Sequence, residues 1–395
     1  MKTLVLNCGS SSIKYQFYQG EEVLAKGLAE QIGEGAGHLV YQTQGADLQR
    51  QNPLKDHHQA LEEILALLVD PKVGVIKDRK DLDCVGHRVV HGGERFKQPV
   101  AIDSVVLQAI RACIPLAPLH NPANIEGIET AMVVFPRAKQ IAVFDTAFHQ
   151  SIPERAYRYA LPEDHYKKLG VRRYGFHGTS HKYVAHRAAE FLGKPLEALK
   201  LITLHLGNGS SMAAIDRGQC IDTSMGMTPL EGLVMGTRCG DLDPAIPLFL
   251  STHLGLDMKE VDQLLNKKAG FKGMTGHNDL RTIEAEYGEG NEAAIRALDL
   301  AAYRIKKYIG AYWAALGGLD ALVFTAGIGE NSVLTRKLAL EGLEGLGIHL
   351  DPKLNAKPKG PAISTKASPV SVLVVPTNEE LQIVREVGSL TKITL

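Results

Sequence analysis

At 395 residues the chain exceeds what one hydrophobic core usually serves, so two domains, three at most, are expected. Its 45% hydrophobic and 22% charged residues exclude a disordered chain, and 44 Lys plus Arg against 44 Asp plus Glu leave no long-range field to draw in nucleic acid or an anionic membrane. Cys8, Cys84, Cys113, Cys220 and Cys239 are odd in number, scattered and without a C-x-x-C pair, which argues against disulfides and zinc ribbons and for a reducing cytoplasm.

The N-terminus reads as an apolar strand, "KTLVLN", too short for a signal peptide, followed by Gly-Ser-Ser-Ser and a second strand in which Ile13, Tyr15 and Phe17 alternate with polar residues. No helix follows the turn, so a phosphate there would meet turn amides, serine hydroxyls and Lys14 instead of a P-loop. "HHQALEEILALLVD" has helical periodicity. The strand "DCVGHRVV" brings in Arg88 ahead of Gly92 and Gly93; its planar fork suits a carboxylate or phosphate, with a surface ion pair as the alternative. His87 and His91 have the spacing of a zinc helix, but Val89 and Val90 favour a strand and the HExxH glutamate is missing.

In "APLHNPANIEGI", His120 and Asn121 precede Pro122 at a helix start, where Asn121 reads as a cap. "KQIAVFD" ends a buried strand on Asp145, either a functional carboxylate or a turn residue. Prolines and charges around "HQSIPERAYRYALPEDHY" put a domain boundary close to Ser151, separating 1–150 from 151–380. A glycine-bracketed loop, "RRYGFHGTSH", then carries His177 to a helix capped by Thr179 or Ser180; His177 and His181 again mimic metal spacing without a third ligand.

From Leu201, "LITLHLGNGSSMAAID" repeats the grammar of the N-terminus: apolar strand, Gly-Ser-Ser turn, alternating strand. Two such segments, each opening about half of the chain, predict a duplicated α/β fold whose lobes present two phosphate-binding hairpins to a central cleft. "GTRCGDLDP" supplies Arg238 in a Gly-framed turn. "IGAYWAALGGLDALVFTAGIG" is nearly apolar over a membrane-spanning length, yet Gly317 and Gly318 read as a helix stop and Asp320 precedes a strand, so a buried helix and strand are expected. "FTAGIGENS" and "PTNEEL" each end a buried strand in helix-initiating residues where a nucleotide and its metal could rest.

Taken in order, "LNCGSSSIK", "HRVVHGGE", "FDTAFHQSIP", "RYGFHGTSH", "HLGNGSS", "GTRCGDLDP", "FTAGIGENS" and "PTNEE" resemble the motif series of the acetate kinase family over nearly the whole chain. The resemblance implies two ribonuclease-H-like lobes of the actin-like ATPase kind, closing over ATP, with a C-terminal helix from about residue 380 on the first lobe. It implies reversible phosphoryl transfer from ATP to acetate, giving acetyl phosphate and ADP, by a cytoplasmic homodimer with Mg2+, for which Mn2+ could substitute, and without nucleic-acid or membrane partners. Carried over by position, Asn7 and Glu379 would hold the metal, Lys14 the nucleotide phosphates, and Arg88 with His120 the acetate side. Arg88 and Arg238 would grip the moving phosphoryl group, His177 would stabilise it, and Asp145 is the family's essential carboxylate. His205, Leu206, Gly207, Asn208 and Gly209, with Gly327, Ile328, Gly329, Glu330 and Asn331, would bind ATP, and Asp279, Leu280 and Arg281 its adenosine side. Cys8 and Ala326 depart from the commoner alanine and glycine, and "GFKGMTGHNDLR", which ends on Asp279, Leu280 and Arg281, departs from the usual G-x-S-G run before that element. An acid substrate has no proton for a base to remove, which favours Asp145 as organiser of a metal-bound water or an arginine; phosphorylation of Asp145 or Glu379 is the rival route.

Overall fold

The first Gly-Ser-Ser turn joins β1 (Lys2–Cys8) to β2 (Ser12–Gln19), which pair antiparallel with Cys8 opposite Ile13. The turn is closed by Gly9 N donating to Ser12 O at 2.8 Å. The computed structural model describes residues 1–118 and 120–393. The chain divides into two units, one of Met1–Ala147 with the C-terminal residues from Asn378, the other of Phe148–Thr377.

In the first unit the hairpin extends into β3 (Glu22–Glu30), β4 (His38–Thr43) and β5 (Asp47–Gln51), and β6 (Cys84–Val89), β7 (Val100–Ala101) and β8 (Lys139–Phe144) complete the sheet. The order is β5-β4-β3-β2-β1-β6-β8-β7, with β6 and β8 parallel to β1. Because successive side chains on a strand face opposite ways, β1 feeds two cores. Leu4 and Leu6 join Leu61 and Ile64 of the helix His57–Leu68, whereas Val5 joins Ile383, Val384 and Val387 of the C-terminal helix Glu379–Ile393. That second helix lies so close to β6 that a Cβ on Gly86 would stand 2.8 Å from Ile383 Cγ2. Glu379 is thereby fixed at the start of a helix that the sheet itself supports.

The second unit has β9 (Lys200–Leu206), β10 (Ser210–Asp216), β11 (Gln219–Thr223), β12 (Ala321–Thr325) and β13 (Ser371–Val374) in the order β11-β10-β9-β12-β13. β9, β10 and β11 form an antiparallel meander, and β12 and β13 run parallel to β9. The first unit reads the same way from β3 through β2, β1 and β6 to β8, so the echo in the sequence is a duplication of topology. The helix Glu292–Leu316 covers this sheet with Ile305, Ile309, Tyr312 and Leu316 and ends where Gly317 turns left-handed at φ 64°. The apolar stretch is thus a helix and a strand, and no described helix is long and apolar enough to cross a membrane.

Candidate active site

In the first unit Arg88 leaves β6 beside the end of β8, where Asp145 follows Phe144. Arg88 donates from Nε to both Asp145 oxygens at 3.1 Å and from Nη2 to Oδ2 at 2.6 Å. Asp145 is only 1% exposed, so this is not a surface ion pair. Glu379 stands 3.6 Å from the same Nε. Burial pulls the Arg88 pKa down, but the charges of Asp145 and Glu379 and the hydrogen bonds push it up by more, and the guanidinium stays charged. Its Nη1 has no partner among the described residues, leaving one corner of the fork for an anion.

The helix Asn121–Val134 holds this end of the sheet. Asn121 is not the cap expected from the sequence: it lies inside the first turn, accepting from His91 N at 3.1 Å and donating to His91 O and Ile110 O. One turn on, Asn124 accepts from Val90 N at 3.0 Å and donates to Cys8 O at 2.9 Å. Together they tie the segment after Arg88 to the end of β1, which carries Asn7. Their spacing of three in "HNPAN" puts both amides on one helix face, a signal readable in advance. His120 stands just before this helix. His87 points the other way along β6, 2.8 Å from Gln140, and burial lowers its pKa to about 4, while His91 Nδ1 accepts from Gly93 N. The described residues contain no group of three or more His, Cys, Asp and Glu able to hold a metal.

Asn7, on β1, makes no side-chain hydrogen bond among the described residues, and Glu379 offers a carboxylate in the same unit. Two hard oxygen donors fit magnesium, which takes most of its octahedron from water and phosphate. Lys14, paired with Asn7 across the hairpin, reaches Glu380 at 2.5 Å.

In the second unit His177 adopts φ 57° and ψ 23°, a left-handed conformation unusual for a residue with a Cβ. The helix Gly178–Leu192 starts directly after it without a side-chain cap. Contrary to the expected cap, Ser180 lies inside the helix, and its hydroxyl is engaged by His205 Nδ1 and Thr377 Oγ1, each at 2.8 Å. The His177 ring stacks on His205 with centroids 4.2 Å apart. A Cβ on Gly209 would lie 3.5 Å from His177 Nε2 and 3.4 Å from Arg238 Nη1, so both groups border the niche left by its missing side chain. Arg238 donates from Nη1 to Pro229 O at 3.1 Å and forms no ion pair among the described residues. Burial lowers its pKa, the expected response of a cation without a counter-ion.

The remaining predicted nucleotide residues flank two strand ends of this unit. His205 and Leu206 close β9, and Gly207, Asn208 and Gly209 turn into β10 with Ser210 Oγ donating to Gly207 O at 3.0 Å. The short helix Ala326–Asn331 follows β12 and contains Gly327, Ile328, Gly329, Glu330 and Asn331. It is held by a residue the sequence did not single out: the fully buried Arg336 donates from Nη1 to Gly329 O and Glu330 O at 2.8 and 2.9 Å, and from Nε to Asn355 at 2.7 Å. Asp279 caps the helix Leu280–Gly288 and pairs at 2.7 Å with the exposed Arg281, while Leu280 is buried.

A model of the acetokinase family matches residues 2–385. The chain belongs to the acetokinase family. An acetate kinase of Thermotoga petrophila is 56% identical over 393 residues, covering 98% of each chain. Among solved structures, Porphyromonas gingivalis acetate kinase superposes with a TM-score of 0.93 at 47% identity over 99% of both chains. A propionate kinase from Francisella tularensis reaches 0.92 at 41% identity, covering 98% of each. The acetokinase fold is therefore that of this chain throughout, including both topological repeats.

Proposed function

We propose that the protein transfers the γ-phosphoryl group of ATP to acetate, reversibly, giving acetyl phosphate and ADP. The observation that carries this reading is Arg238: a half-buried guanidinium with no acidic partner among the described residues, beside His177 Nε2 over the Gly209 niche, is a place where an anion relieves an electrostatic cost. Acetate is ionised at neutral pH and its oxygen is already nucleophilic, so no general base is needed. The obstacle is repulsion between a carboxylate and a polyphosphate, and phosphoryl transfer is largely positioning and charge stabilisation. Arg88 meets the acetate carboxylate with its open Nη1, Asp145 holds that fork in plane, and Arg238 and His177 neutralise the equatorial oxygens in flight. Asn7 and Glu379 would hold a magnesium ion, which when bound would supply positive charge to the leaving phosphates.

In this reading Asp145 organises an arginine instead of accepting a proton or phosphoryl group. Direct in-line attack inverts a chiral phosphorus; net retention would establish the phospho-enzyme route. The primary test is a hydroxylamine trap for acyl phosphate with acetate, propionate and butyrate in turn. Absence of acetyl phosphate overturns the assignment, and a faster rate with propionate reassigns the acceptor. The reading also makes the chain a cytoplasmic homodimer. Support comes from five free cysteines and from the helix Ala245–Leu254, which leaves Leu248, Phe249 and Leu254 more than half exposed. Sedimentation as a monomer would remove that part.

A further inference from the structure

Beneath His177 the second unit carries a chain of side chains that no part of the proposed reaction uses directly. His177 Nδ1 lies 2.9 Å from Ser211 Oγ. The same hydroxyl lies 2.8 Å from His181 Nε2, and His181 Nδ1 lies 2.7 Å from Thr203 Oγ1. Ser211, His181 and Thr203 are completely buried. Burial, with His149 and His205 nearby, holds His181 well below the ordinary histidine pKa, so its ring is neutral and carries one proton.

Each hydroxyl has one proton, so the chain can be ordered in only two ways. If His181 carries its proton on Nδ1, it donates to Thr203; Ser211 then donates to His181 Nε2 and accepts from His177 Nδ1. Thr203 Oγ1 has no other hydrogen-bond partner among the described residues, so that order strands a buried hydroxyl proton with nothing to accept it. An unmade donor costs about 1–3 kcal/mol. In the other order Thr203 donates to His181 Nδ1, His181 Nε2 donates to Ser211, and Ser211 donates to His177 Nδ1. Every proton is used, and what remains open is a lone pair on Thr203, the smaller penalty.

We infer that Thr203, His181 and Ser211 form a one-way hydrogen-bond relay that fixes the tautomer of His177: with Nδ1 accepting from Ser211, the ring proton stands on Nε2, where it borders the Gly209 niche beside Arg238 Nη1. The inference rests on the reading of His177 as a donor to the transferring phosphoryl group. The reverse tautomer would present a lone pair to an anion, so the relay converts a buried threonine on β9 into a condition for catalysis. Ser211, His181 and Thr203 are positioning residues, acting through His177 alone.

Long-range proton–nitrogen correlation spectra of the full chain labelled with 15N-histidine read the tautomer directly, His177 being assigned by the signal lost in His177→Gln. A protonated-type Nε2 with an unprotonated-type Nδ1 is expected, and the reverse pattern overturns the relay. Ser211→Ala breaks the link, so the His177 signals should move towards a mixture of tautomers while kcat falls about tenfold, short of the hundredfold or more that follows loss of a whole charge-stabilising donor, at unchanged KM. Thr203→Ser keeps the hydroxyl and should retain both the wild-type spectrum and rate. A fall in kcat without movement of the His177 signals would reduce Ser211 to a structural role and overturn the inference. Moved signals at an unchanged kcat would instead refute the catalytic use of His177 and leave the relay standing.

Discussion

Replacing Asp145 by Asn removes one charge at nearly constant shape and tests whether this carboxylate works through Arg88. Arg88 makes two 3.1 Å contacts and one 2.6 Å contact to Asp145. Breaking a buried pair costs about 3–5 kcal/mol when the remaining charge is stranded. Here the Arg88 side chain keeps 19% of its exposure and Glu379 remains at 3.6 Å, so a loss of about 2–3 kcal/mol is expected, read as a lower urea midpoint at unchanged slope. An amide also turns one NH2 towards the guanidinium, which tilts the fork away from the acetate carboxylate. A displacement of about 1 Å costs roughly 100-fold in rate, so kcat should fall by about that factor. The decisive assay is a double-mutant cycle with Arg88→Met, using acetyl phosphate formation. If Asp145 acts by aligning Arg88, Asp145→Asn should cost almost nothing further once Arg88 is gone. Full additivity of the two losses would refute the argument and return Asp145 to an independent role on substrate or metal.

Arg238→Lys should lower kcat by about a thousandfold with protein stability little changed, since a point charge cannot reproduce the paired donors of a guanidinium; steady-state rates and a melting curve check both parts. Ala326, at φ 64°, occupies a backbone region that glycine enters freely, so Ala326→Gly should stabilise the protein by about 0.5–1 kcal/mol in chemical unfolding, and a loss of stability would count against strain at this position. Arg336→Met should free the carbonyls of Gly329 and Glu330, lowering stability by about 3 kcal/mol and raising KM for ATP more than KM for acetate. Equal effects on both KM values would show that Arg336 does not act through the helix Ala326–Asn331.

The legible parts of the fold were those where hydrophobic period and turn chemistry coincide. β1, β2, β6, β8, β9, β10, β12 and β13 all follow from apolar runs or clean alternation. β3, β4 and β5 do not, because they extend the sheet towards an edge where burial is partial and polar residues break the alternation; Gly27, over which the Tyr15 ring passes, further dilutes the pattern in β3. The motif residues of the site stand on strand ends and turns, and turn glycines mark such places. The residues that hold them are less visible. Asn121, Ser211 and Arg336 look like a cap, a strand serine and a surface charge until tertiary contacts show what their hydrogen bonds reach. A polar side chain acquires a role through partners distant in sequence, and no local period encodes those partners.

The closing helix of the first unit has a consequence for biosynthesis. Val5, Tyr18, Cys84, Ile141 and Val143 need Ile383, Val384 and Val387 to be covered, yet the 230 residues Phe148–Thr377 must be translated in between. At about 5–20 residues per second the ribosome takes roughly 10–50 s over that interval, during which a finished β-sheet carries one bare greasy side. Chaperone demand should therefore peak while the second half of the message is being read, and chains truncated before Asn378 should be far more prone to aggregation than the few missing residues would suggest.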